Sequence, residues 1–295
     1  MNIKKYSIWI IGALIFLIAS FFSSIVGFVS DWWWFSEVKY SEIFMTALSM
    51  KFLIGSIVVV FSFLFLYINV LIATSAKTEW FMVLPESIMG RPVSLSNAIT
   101  KKIGLGVALV VAVLLGMIAA TGWQDVLKFL NATPFGVTDP VFNKDISFYV
   151  FSLPVYAFIL GLLKALLLIS LVLVGSVYVF RGLLNLASFL GNFVNPHHDR
   201  EVRFARKTES EDIVQKSRFH TAVLLFGLLF VAAVSSYLSL FKLLTGQTFG
   251  QISGSAYTGI NIIIPFIWMS IVALVVAALA VLYWGRSGKV GFFIG

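Results

Sequence analysis

Along the chain, long unbroken apolar stretches alternate with short charged ones. The runs at 8–29, 52–74, 103–121, 155–180, 221–240 and 260–284 hold a single charged side chain between them, Lys164. Each of them, wound at 1.5 Å per residue, reaches across the roughly 30 Å of a hydrocarbon core. Without water to bond the backbone, a single run of this kind is stable in lipid only as a helix. The pattern predicts an all-α fold, a polytopic integral membrane protein of six transmembrane helices forming one domain over 1–295. The closing Val290-Gly-Phe-Phe-Ile-Gly295 reads as the opening of a seventh span.

The first run is too long for the apolar core of a signal peptide, about 7–15 residues, and no small-x-small cleavage site follows it, so it reads as an uncleaved signal anchor. Beyond it, Asp31-Trp-Trp-Trp-Phe-Ser-Glu-Val38 places three consecutive indoles where amphipathic rings favour the headgroup region. Residues 76–102, with Trp80 to Leu84 between prolines and basic residues, predict a segment lying on the membrane surface. Gly104, Gly106 and Gly116 in the third run allow close helix approach. Pro154 suits the first turn of the fourth span, where its missing amide costs nothing.

Composition agrees with the pattern: 295 residues are 60% hydrophobic and 12% charged, with a mean hydropathy of +0.99. The net charge of +8 sorts by loop and does not form a nucleic-acid face. Of 21 Lys and Arg, 15 fall on one set of alternate loops and 5 on the other, leaving only Lys164 inside a span. The positive-inside rule then puts both termini in the cytoplasm, the loop 122–154 outside and the charged loop 181–219 inside. Cysteine is absent, which removes disulfides and thiolate chemistry.

Chemistry-bearing motifs are few. Gly285-Arg-Ser-Gly-Lys289 imitates a phosphate loop with the wrong spacing, and Val290 stands where a hydroxyl is needed. His197 and His198 are adjacent and do not converge on one ion, and Asn131-Ala-Thr133 is a formal glycosylation sequon. The candidate functional residues are therefore Lys164, a charge near the bilayer midplane; Asp31, Trp32, Trp33, Trp34 and Glu37, an aromatic and acidic cluster able to grip a headgroup or sugar; and Asp139, Asn143 and Asp145, oxygen donors in the 131–154 stretch. Asp139-Pro-Val-Phe142 fits a type I turn with the carboxylate accepting backbone amides, and Asp145 fits a helix cap. Calcium is the sharper reading of these three, but their spacing is not that of an EF-hand loop.

Three stretches, Asp31-Trp-Trp-Trp-Phe-Ser-Glu-Val38, Asn131 through Pro154, and Gly254-Ser-Ala-Tyr-Thr-Gly-Ile-Asn261, resemble the bacterial membrane proteins of uncharacterised protein family 0182. The resemblance covers essentially the whole chain. Relatives continue the third motif with Asp where this chain has Gly259. The resemblance implies a multi-spanning plasma-membrane protein, about seven spans followed by a large extracytoplasmic domain, of which this chain looks like a truncated member.

The leading functional expectation is a structural or scaffolding module that anchors extracytoplasmic parts, is not an enzyme and uses no cofactor or metal. Its partners are the lipid bilayer and a downstream extracytoplasmic domain or partner protein, not nucleic acid. The alternative is a transporter or lipid-handling protein with a groove including Lys164. The lack of any Asp or Glu in the six runs argues against ion-coupled transport within these residues.

Overall fold

The computed structural model describes residues 12, 22–75, 97–180, 211–245, 247–249, 252–253 and 258–287. The helices are α1 (22–37), α2 (Ser41–Thr74), α3 (Asn97–Thr121), α4 (Trp123–Leu130), α5 (Leu153–Phe180), α6 (Glu211–Thr245) and α7 (Ile264–Ser287). A short antiparallel pair, β1 (Gln247–Phe249) and β2 (Ile252–Ser253), follows α6. Among the described residues five helical segments are long and apolar enough to cross a membrane: Ser41–Thr74, Ala98–Thr121, Phe148–Tyr178, Ile213–Thr245 and Gly259–Ser287. Most of the first expected span, residues 76–96 of the surface segment expected over 76–102, residues 181–210 of the expected cytoplasmic loop with His197 and His198, and 290–295 lie outside the described residues.

Helices and apolar runs differ at their ends. α2 begins at Ser41, well before the apolar run at 52, and α6 begins at Glu211 inside the stretch read as a cytoplasmic loop. Helical hydrogen bonding does not stop at the hydrocarbon boundary, and acidic residues such as Glu42 suit the positive end of the helix dipole. The loop expected over 122–154 likewise holds α4 and the start of the next helix.

The chain divides into two compact units, Met1–Leu53 and Ile54–Gly295. In the first, helix α1 carries the three tryptophans rather than ending before them. Helical spacing puts Phe28, Trp32 and Phe35 on one stripe, and all three rings meet Phe44 at 5.5–5.6 Å. Trp33 and Trp34 face outward. The helix ends in a Schellman pattern: Tyr40 N donates to Phe35 O and Lys39 N to Ser36 O. Lys39 sits at the left-handed position with φ 62°, where glycine is usual.

In the second unit α2 and α3 run antiparallel, with Gly116 against Val59 and the Gly55 carbonyl at one level and Gly104 against Val70 at another. Leu66, Ala108, Leu115 and Leu166 form a buried cluster joining α2, α3 and α5. α6 packs along both α5 and α7.

Two prolines explain two irregularities. A π-turn at Phe148–Ser152 immediately precedes α5, and another at Gly259–Ile263 precedes α7; Pro154 and Pro265 stand at the second residue of each α-segment. A proline within a helix cannot donate to the carbonyl four residues back and its ring crowds that carbonyl. One wider turn ahead of it, with Leu153 N reaching Phe148 O and Ile264 N reaching Gly259 O, lets the helix pass through. Pro154 is therefore inside a longer helix, not in its first turn, because helical structure already begins at Ile146.

Two of the three glycines of α3 separate cleanly. Gly116→Val drives methyls into Val59 and the Gly55 backbone, whereas a side chain on Gly106 meets nothing within 4 Å. Gly116→Val is expected to cost about 1–3 kcal/mol in detergent unfolding and Gly106→Val to leave the midpoint unchanged; equal effects would contradict this packing.

Candidate functional site

Three groups of polar side chains stand out against the apolar surroundings of the second unit. The first is the stretch between α4 and α5, a cap built on two carboxylates. Asp139 Oδ1 accepts the amides of Val141 (2.9 Å) and Phe142, and its Oδ2 accepts the Lys144 amide (2.8 Å) and the Tyr149 hydroxyl (2.8 Å). Asp145 Oδ1 accepts the amides of Phe135 and Ser147, and Oδ2 that of Gly136. The stretch is further closed by the isolated bridge Thr138–Asp145 and by Ile146 N donating to Val137 O. Asn143 takes the left-handed conformation, φ 53°, as does Gly136, φ 72°. A short amide side chain tolerates that region better than most.

These bonds set the charges. Burial works against ionisation of Asp139, but the amides of Phe142, Lys144 and Val141 and the Tyr149 hydroxyl outweigh it and hold the carboxyl below its ordinary range. The Ser147 hydroxyl and amide, with the amides of Phe135 and Gly136, bring Asp145 down to about 2. Both carboxylates spend their oxygens on the chain itself. Among the described residues no three His, Cys, Asp or Glu side chains converge on a point that could hold a metal.

The cap is also seated. Phe142, Phe148 and Tyr149 close on Phe241 near the end of α6, with ring centroids 4.9, 5.2 and 6.3 Å away. Leu153 and Leu238 join that cluster. The cap thus ties the start of α5 to the end of α6.

The second group is a two-residue latch. Lys164 Nζ, half-buried on α5, donates to Ser235 Oγ on α6 at 2.9 Å. The third is a relay across three helices: Asn69 on α2, Tyr178 on α5 and His220 on α6. His220 Nε2 lies 2.8 Å from Asn69 Oδ1, and His220 Nδ1 lies 2.8 Å from Tyr178 Oη. Asn69 Nδ2 donates to Phe65 O, so its Oδ1 is the acceptor and Nε2 carries the proton. In that neutral tautomer Nδ1 accepts from the Tyr178 hydroxyl. Lys164 and Tyr178 are two heptads apart on α5, about 21 Å along the axis, with Leu167, Leu171 and Val174 between them.

Sequence reasoning missed this relay. Tyr178 lay within an apolar run, and His220 sat between the charged loop and the next span. Asn69, an amide inside a long apolar run, was the available signal, since such a group needs a partner on a neighbouring helix. Of the sequence candidates, Asp139, Asn143 and Asp145 come together in the cap. Lys164 is on the α5–α6 face, and Asp31, Trp33, Trp34 and Glu37 are exposed on α1 in the other unit, with Trp32 half-buried against Phe44.

Two outcomes follow from these bonds. A carboxyl depressed in the folded state adds stability that is complete above its unfolded pKa, near 3.9, and fades as pH falls toward the folded value. For Asp145, with a folded value of about 2, the window lies at acid pH. Pepsin is expected to spare the 131–147 stretch at pH 4 in the native chain and cut it in Asp145→Asn, the two converging near pH 2; equal cleavage at pH 4 would refute the assignment. Ser235→Ala, which strips Lys164 of its acceptor, is expected to cost about 0.5–2 kcal/mol in mixed-micelle unfolding. Adding Lys164→Met should recover that loss, and an Ser235→Ala chain as stable as the native one would deny the latch.

Comparison with known proteins places the whole arrangement. Residues 8–294 match the profile of the Uncharacterised protein family (UPF0182). A UPF0182 protein of Cupriavidus necator is 32% identical over 285 residues, 95% of this chain and 28% of that protein. One from Saccharopolyspora erythraea is 28% identical over 90% of this chain and 26% of its own length, and one from Trichlorobacter lovleyi 31% identical over 84% and 26%. This chain spans about a quarter of the length of these relatives. No solved structure matches it. With the match running through the tryptophan helix, the cap and the latched helices alike, the chain belongs to the bacterial family UPF0182.

Proposed function

We propose that this chain is a structural module of the bacterial plasma membrane, both termini cytoplasmic, that holds a prefolded extracytoplasmic cap as a seat for other extracytoplasmic parts and performs no catalysis. The observation that carries the reading is the cap itself. Its two carboxylates are consumed by backbone amides and Tyr149, which fits a rigid support better than a ligand site. Among its outward residues, beside polar ones such as Thr133 and Lys144, are apolar side chains: Leu130, Phe135 and Val137 are 65%, 48% and 57% exposed. Apolar residues exposed on an ordered surface suit a protein contact, and relatives about three and a half times as long have the chain to supply one.

Lys164 supports the same reading. A charged group at mid-bilayer usually marks a pathway or a partner, and here the partner is Ser235 on the adjoining helix. The exposed Trp33 and Trp34 on α1 suit an anchor at the headgroup level.

The test is a photocrosslinking amino acid at Val137 in living bacteria, with reporter fusions after Lys144 and after Lys207 to fix the sides. The expected result is that the two fusions report opposite faces and that the crosslinker captures protein, either another extracytoplasmic segment or a partner. Fusions on the same face, or capture of lipid alone, would overturn the proposal.

A further inference from the structure

We propose that the end of the α6–α7 pair carrying Lys216 and Arg286 binds a phosphate group, and that in the membrane this is the headgroup phosphate of an anionic phospholipid. A cavity of about 370 Å³ opens there, lined by Gln215, Lys216, Phe219, Gly285 and Arg286. Glycine at 285 brings the helices together: a side chain there would run into Ala222, and the Arg218 carbonyl lies 3.7 Å away. Two cations and an amide donor thus line one small space.

Nothing in the described residues neutralises them. Among the described side chains no carboxylate pairs with Lys216 or Arg286; the ion pair at Asp125–Lys128 lies elsewhere. Arg218, two residues from Lys216 on α6, is not among the residues that line the cavity. Lys216 and Arg286 both line the cavity, and a phosphate offers an ammonium and a guanidinium several acceptor oxygens with the charge to match.

The depth and the walls point to lipid rather than to a soluble anion. Lys216 stands five residues before the apolar run 221–240 and Arg286 two residues after the run 260–284, and basic residues at the edges of apolar runs belong at the depth of headgroup phosphates. Phe219 adds an apolar wall. Below Arg286, residues Val272, Val276, Leu279 and Tyr283 recur on one face of α7 and are 60%, 53%, 58% and 50% exposed. That stripe gives an acyl chain a track leading from the basic pocket into the hydrocarbon. Basic pockets between helices on the cytoplasmic side are a recurring way to hold anionic headgroups.

The test uses the full chain in bilayer discs containing phosphatidylcholine with a minority of phosphatidylglycerol, read by native mass spectrometry of retained lipid. The native chain is expected to keep one phosphatidylglycerol in preference to phosphatidylcholine. Lys216→Gln with Arg286→Gln should lower that retention at least tenfold. Arg286→Lys, which keeps the charge, should hold it within about threefold, and Lys242→Gln, at the other end of α6, should not change it. Unaltered melting of the glutamine variant in phosphatidylcholine alone would show that the loss is not unfolding. Equal retention by native and glutamine chains would overturn the proposal. Displacement of the lipid by inorganic phosphate at low concentration, without preference for phosphatidylglycerol, would overturn the lipid assignment in favour of a free anion.

Discussion

Inside hydrocarbon a polar group without a partner in the protein has no water to turn to, and the arrangement of these helices follows from that scarcity. The five long apolar segments satisfy their backbones by being helical, so the backbone does not dictate which helix lies against which. Apolar side chains discriminate weakly, because lipid tails are as apolar as leucine. What remains to specify neighbours is close approach at small residues and the few side-chain hydrogen bonds. Gly55 and Gly116 do the first for α2 and α3; Lys164–Ser235 and the Asn69–His220–Tyr178 relay do the second for α2, α5 and α6.

The same economy governs the cap. A chain leaving α4 and entering α5 has amides at Phe135, Gly136, Val141, Phe142, Lys144 and Ser147 that no helix or sheet ladder takes up. Two aspartates collect all six. The π-turn ahead of Pro154 then lets the helix continue, and it carries Phe148 and Tyr149 onto Phe241. Turn, bulge and aromatic contact form one mechanical unit joining the cap to the helices, which is the property a seat for another domain requires.

How far the sequence revealed this depends on the range of each interaction. The long helices were readable because an apolar run is a local signal, although α2 and α6 reach beyond their runs by a rule that hydropathy does not contain. Asp139 taking the Val141 and Phe142 amides is local, and a proline at the next position announces it. Asp145 reaching back to Phe135 and Gly136 is not, since that depends on how the intervening residues fold. Partners separated by 71 positions, as in Lys164–Ser235, or by 151, as in Asn69–His220, leave no trace in spacing. The prolines were visible, but the wide turns they need are a consequence of continuing a helix through them.

If buried hydrogen bonds choose the neighbours, the Asn69–His220 contact must carry energy of its own. A double-mutant cycle of Asn69→Leu and His220→Leu, measured by reversible unfolding of the chain in bilayer-like micelles, isolates that energy from the cost of each substitution. The account predicts a favourable coupling of about 0.5–2 kcal/mol. Additive effects, with no coupling between the two positions, would contradict it.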